Sequence, residues 1–185
     1  VANGWVPIGR KAVVTSSEQN ILYEIDNQPA LDFYDDYFAG LTPSPEYPLA
    51  ILDPQANEFY TRAPYNCDRN NKCIYYLAQI PEQAVVQIAQ ASREDILAAA
   101  KTSITKALKT YPGTQPKAAL FFSCLARPQL LGTRTKEEYH LAQNSLSEAV
   151  QSCGFYTNGE ISPLQNNTAS RLHHDTFVTL LLGVG

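Results

Sequence analysis

The stretch "KAALFFSC", Lys117–Cys124, constrains the fold more than any other. Side chains alternate along a strand, so apolar residues at successive positions put apolar groups on both faces. The run predicts a central strand with a layer on each side. Around it, "SREDILAAAKTSITKALKTYPG" predicts a helix, with Ser92 and Asp95 spaced as a capping box and Ile96, Leu97, Ala100, Ile104, Ala107 and Leu108 on one stripe. Pro112 and Gly113 end it. "GTRTKEEYHLAQNSLSEAVQS" predicts a second capped helix, with Thr135 and Glu138 as the box and Tyr139, Ala142, Leu146, Ala149 and Val150 facing inward. "CGFYTNGEI" and "TFVTLLLGV" read as strands.

Towards the N-terminus the pattern changes. "KAVVTSSEQNILYEI" reads as a β-hairpin with Ile21, Tyr23 and Ile25 on one face. "DNQPALDFYDDYFAG" predicts a helix with Pro29 in its first turn and Gly40 as its stop. "LAILD" and "AVVQIAQA" read as strands, and "EFYTRAPYNCDRNNKCIYYLAQI" as two strands about the "DRNNK" turn. Strands and hairpins with three helices between them, without strict βαβ alternation, predict an α+β fold: layered, mostly antiparallel sheet covered by helices.

Composition narrows the function classes. The 185 residues suit one domain, 1–185, or part of a larger unit. Lys plus Arg is 14 against 18 for Asp plus Glu, a net charge of −4, with no basic block for a phosphate backbone. No apolar run reaches the ~18 to 20 residues a membrane span needs. No nucleic acid, membrane, metal or cofactor is expected as a partner. The chain has no Met and no leader-like start, so it reads as a fragment cut from a longer protein. Cys67 and Cys73 flank the polar turn and could face each other across a hairpin. A reduced, cytosolic pair is expected, with a disulfide as the alternative in an oxidising compartment. "NNT" at Asn166 matches a glycosylation sequon, a short and weak pattern.

Two stretches carry candidate chemistry. In "FFSCLARPQLLG" an apolar strand ends at Ser123 and Cys124, and Arg127 follows. Its planar fork suits a carboxylate or phosphate. The plainer reading is a surface arginine in a salt bridge and a small buried cysteine. In "SCGFYTNGEISP", Tyr156, Asn158 and Glu160 fall on one face by period two, and Gly159 leaves room for a close approach. Glu160 by charge and Tyr156 by its ring could hold an ammonium. The alternative is an edge strand with a solvated polar face. His140 reads as a partly exposed helix residue. His173 and His174 are neighbours in extended chain, so at most one joins a site. Cys124, His173 and Glu160 also supply the residue types of a thiol hydrolase, though no nucleophile-elbow motif surrounds Cys124.

Taken in order, "EIDNQPALDFYDDYF", "ALFFSCLARPQLLG", "CGFYTNGEISP" and "SRLHHDTFVTLLLG" resemble the C-terminal half of the FIST domain family, a sensory module of intracellular signal-transduction and F-box proteins. The resemblance implies a cytoplasmic domain that binds a small ligand such as an amino acid, with output from another domain or protein. It also implies a preceding N-terminal half, which is expected to be absent here. By position it points to Cys124, Arg127, Gly154, Tyr156, Gly159, Glu160 and His173. Asn158 stands where an aromatic is expected, and His174 where an asparagine is. On this reading Arg127 clamps a ligand carboxylate, Glu160 pairs its ammonium, Tyr156 stacks, and Ser123 or Asn158 supplies hydrogen bonds. A thiol-dependent hydrolase or transferase built on Cys124, and a protein-interaction module using the aromatic helix Phe33–Phe38, are the alternatives.

Overall fold

The structure, a computed structural model, describes residues 1–54, 58–165 and 168–183. The sequon at Asn166 lies outside them. The chain forms two units, one of Val6–Gln90 and the other of Ala91–Gly185 with Val1–Trp5.

In the first unit, β1 (Val6–Glu18) turns at Gln19 and Asn20 into β2 (Ile21–Ile25), the predicted hairpin. The register shifts between Val14 and Ser17, so Leu22 and Ile25 are buried and Ile21 and Tyr23 are not the inward pair that simple alternation predicts. There follow β3 (Gln28–Pro29), α1 (Ala30–Phe38), β4 (Leu49–Asp53), β5 (Glu58–Arg62), β6 (Pro64–Asp68), β7 (Cys73–Tyr76) and β8 (Val85–Gln90). They build an antiparallel sheet of order β5-β4-β8-β1-β2-β7-β6, with β3 on β2.

Pro29 immediately precedes α1. Ala39 in the left-handed region, then Gly40, ends it. Phe33 and Tyr34 are buried against Leu22, Ile74 and Tyr76, and the Tyr76 hydroxyl lies 3.0 Å from that of Tyr34. The helix is core, so its aromatics do not form the exposed patch that the interaction-module reading needs. Cys67 pairs with Ile74 and Asp68 with Cys73. Cross-strand partners share a face and adjacent residues alternate, so the two free thiols point to opposite faces of the ribbon.

In the second unit α2 (Arg93–Thr110) carries the predicted box. The Asp95 N–H donates to Ser92 Oγ at 3.1 Å, and the Ser92 N–H donates to Asp95 Oδ2 at 3.0 Å. Then come β9 (Ala118–Cys124), α3 (Ala126–Leu131), a 3₁₀ turn (Gly132–Arg134), α4 (Thr135–Asn144), β10 (Gln151–Thr157), β11 (Glu160–Pro163), β12 (Ser170–His173) and β13 (Phe177–Leu182). β9 is central, as expected, with β10 parallel on one side and β13 antiparallel on the other. Ala119 and Phe121 pack under Ala100 and Ile104 of α2 and Ala142 of α4. Both helices lie on that one face. On the other, Phe155 and Leu180 are exposed, so β9 is not covered twice.

The second predicted helix also differs. Helix is already formed before the expected cap at Thr135, from Ala126, and α4 stops at Asn144. Thr135 is already helical and makes no cap, because the 3₁₀ turn delivers the chain in helical conformation. Glu138 is buried instead of capping. Finally, "CGFYTNGEI" is two strands: β10 ends at Thr157 and Glu160 opens β11, which pairs with β12 in a separate two-stranded ribbon. Tyr156, Asn158 and Glu160 therefore do not form one row.

Candidate functional site

β9 carries its last residues, Ser123 and Cys124, to one end of the three-stranded sheet, where the ends of β10 and β12 and the starts of β11 and β13 also arrive. Six ionisable side chains gather on these segments and the helices beside them: Arg127, Glu138, Glu160, His173, His174 and Asp175, none more than 3% exposed. Burying such groups is costly unless each is paired or hydrogen-bonded.

Arg127, on α3, meets that condition through its whole fork. Nε lies 2.8 Å and Nη2 2.7 Å from Glu138 Oε1. Nη2 also donates to the Ile96 carbonyl at 2.7 Å. Nη1 donates to the carbonyls of Asn3 and Asp175, at 2.6 and 3.2 Å. The five N–H groups of a guanidinium are thus matched by protein acceptors. Glu138 uses its second oxygen to accept from Ser123 Oγ at 2.7 Å. The arginine forms the expected salt bridge, but in the interior, not at the surface.

Glu160 is the second centre. Its two oxygens accept from the hydroxyls of Thr157 and Thr176, the latter at 2.7 Å. Among the described residues it makes no ion pair. Burial pushes its carboxyl up to about 7, against the lowering effect of the threonine hydroxyls, the Thr176 N–H and the more distant Arg127 charge. Across the ribbon Glu160 pairs with His173. The His173 Nε2 lies 2.8 Å from the Ser162 carbonyl, an acceptor only, so this nitrogen carries the proton.

Cys124 is buried, and burial together with the nearby charges of Glu160 and Asp175 pushes its thiol up to about 12. A thiol held protonated and closed to solvent is not an activated nucleophile. Among the described residues no cluster of His, Cys, Asp or Glu could hold a metal ion.

The remaining candidates lie at the rim. Tyr156 pairs with Ser123 in the parallel register and so shares its face. It is 41% exposed, and its phenol is pushed up by partial burial and then by the Glu138 charge, with Arg127 opposing. Asn158 is exposed in the break between β10 and β11. Gly159 fills that break, where a Cβ would come within 3.0 Å of the Leu172 side chain. The structure thus brings Ser123, Arg127 and Tyr156 around Glu138, and Cys124 and His173 around Glu160. Asn158 stays apart from both.

Sequence reasoning missed Glu138, Asp175, His174, Thr157 and Thr176 as members of the cluster. One signal was available for Glu138. It stands four residues before the buried Ala142, on the inward stripe of α4, and a carboxylate on an apolar stripe demands a partner.

The family model of the FIST C domain matches residues 30–163, and that of the FIST N domain matches residues 1–28. No curated protein and no solved structure matches the chain. The N-terminal match feeds this cluster directly: Asn3 accepts from Arg127, and Ala2 exchanges backbone hydrogen bonds with Phe177 at 3.1 and 2.7 Å. With the FIST C match spanning most of its length, the chain belongs to the FIST family of sensory signal-transduction domains.

Proposed function

We propose that the chain is a small-ligand-binding sensory domain whose ligand is an amino acid or similar small zwitterion, with output from another domain or protein. The observation that supports this most is the gathering of six buried ionisable groups at one end of a three-stranded sheet. Buried ion pairs contribute little net stability for their desolvation cost, so such a concentration is better explained by recognition. The ligand is placed at the rim, its ammonium over the Tyr156 ring and towards Glu138 and Glu160, its carboxylate towards Asn158. Arg127 holds Glu138 and Ser123 from beneath. For it to touch a ligand carboxylate, the Asn3 or Asp175 carbonyl has to yield its N–H. The four cysteines are free thiols, which favours a cytoplasmic setting. No helix among the described residues is long and apolar enough to cross a membrane.

Calorimetry with a panel of amino acids tests the reading. At least one is expected to bind the wild-type chain, and Tyr156→Ala is expected to weaken it roughly fivefold to thirtyfold, the range of a partly desolvated cation–π contact. Binding unchanged in Tyr156→Ala removes the rim site, and no binding across the panel removes the ligand class.

A further inference from the structure

The ribbon of β11 and β12 is patterned inside out. Its register pairs Glu160 with His173, Ile161 with Leu172 and Ser162 with Arg171. Because faces alternate, Glu160, Ser162, Arg171 and His173 share one side, and Ile161 and Leu172 share the other. The polar pair Glu160–His173 is buried, whereas Ile161 is 73% and Leu172 37% exposed. A ribbon held down by the hydrophobic effect has the opposite arrangement. Here the Glu160 carboxyl is a tie, reaching Thr157 at the end of β10 and Thr176 just before β13.

Several elements bring polar groups around this carboxyl. From β9 comes the Cys124 thiol, and from α3 comes Arg127, whose fork is held by Glu138 and three backbone carbonyls. β12 brings His173, with Arg171 further along the same side, and the segment before β13 brings His174, Asp175 and Thr176. A carboxylate in this position lacks a contacting cation among the described residues, while a carboxylic acid avoids the charge and keeps both hydroxyl partners.

We propose that the β11–β12 ribbon is a proton-controlled flap over the polar cluster, closed when Glu160 is protonated and released when it ionises. The closed state binds a proton near neutrality and an opened, solvated Glu160 binds one only in acid. Closure is therefore favoured as pH falls and weakens about tenfold between pH 6 and pH 8.

Hydrogen exchange on the ligand-free full chain tests this, so its outcome is independent of the ligand reading. The quantity is the protection factor of β11 and β12 amides, which corrects for the intrinsic pH dependence of exchange. It is expected to fall about tenfold from pH 6 to pH 8 in the wild type, and to stay flat in Glu160→Gln, which mimics the protonated acid. Protection that is flat in the wild type, or that falls equally in Glu160→Gln, overturns the proposal. A ¹³C titration of the Glu160 carboxyl in the wild type gives a check that needs no variant. A midpoint near 7 supports the flap, and one at or below the ordinary glutamate value refutes it.

Discussion

Arg127 shows how much one side chain organises here. Its acceptors come from the N-terminal segment, α2, α4 and the loop before β13, as far as 124 residues away in sequence. Removing it leaves the Glu138 carboxylate buried without its cation, along with three carbonyls that lose a donor. Loss of one partner of a buried pair costs about 3–5 kcal/mol, so Arg127→Ala is expected to lose that much in denaturant unfolding. Arg127→Lys keeps the charge but not the planar fork, and falls between. The double variant Arg127→Met, Glu138→Leu removes both charges at similar volume and is expected to recover most of the loss. A single alanine variant within 1 kcal/mol of wild type would falsify the hub role. Residue types at strand ends were enough to single out Arg127, Glu160 and Cys124. The burial of Cys124 was legible, but that of Arg127 and Glu160 was not, because an arginine or glutamate is by frequency a surface residue and its partners lie far off in sequence.

Among elements, the best read were those whose signals are local. α2 is set by a reciprocal cap and an apolar stripe, both visible within its own residues, although the stripe is buried only as far as Ile104 and Leu108 is exposed. The central place of β9 follows from its apolar run. The break between β10 and β11 is different. Thr157, Asn158, Gly159 and Glu160 continue a strand-like alternation, and what ends the strand is the turn of Glu160 inward to meet Thr157 and Thr176. That is a tertiary demand with no local sign except Gly159. Gly154, by contrast, belongs to the pairing of β10 with β9. A Cβ there would stand 2.5 Å from the Phe121 carbonyl oxygen and 2.7 Å from the Phe121 Cβ. Backbone cannot yield as a flexible side chain can, so Gly154→Ala is expected to cost about 1–3 kcal/mol by overpacking. It should also loosen amide exchange along β9 and β10 specifically. At Gly40 an added Cβ meets no atom within 4 Å, and only its left-handed backbone resists substitution. Gly154→Ala no more destabilising than Gly40→Ala would show that the strands can part at little cost.

At the scale of the molecule, pH should move stability in two opposed ways. Glu160 is raised in the folded state, to about 7 from an ordinary 4.5. Its contribution is therefore fully present below the unfolded value and is lost as pH rises through the folded one, with a span of about 3 kcal/mol. Glu94, Asp95 and Glu137 act in the other direction. The Arg134 guanidinium holds Glu94 and Glu137 below the usual range, and the Ser92 hydroxyl and N–H do the same for Asp95. Their contributions are present above the unfolded value and are lost as pH falls. These three are exposed, so each adds little, and the Glu160 effect outweighs theirs between pH 5 and pH 8. Trp5 is the sole tryptophan of the chain and is buried in the same unit as Glu160, which makes its fluorescence a local reporter. The denaturant midpoint followed through Trp5 is expected to rise from pH 8 to about pH 5 and then to turn down in stronger acid. Glu160→Gln should flatten the rise and leave the acid limb intact, because only the raised group has been removed. A wild-type midpoint that climbs steadily with pH from 5 to 8 would show that the raised Glu160 does not control stability in this range.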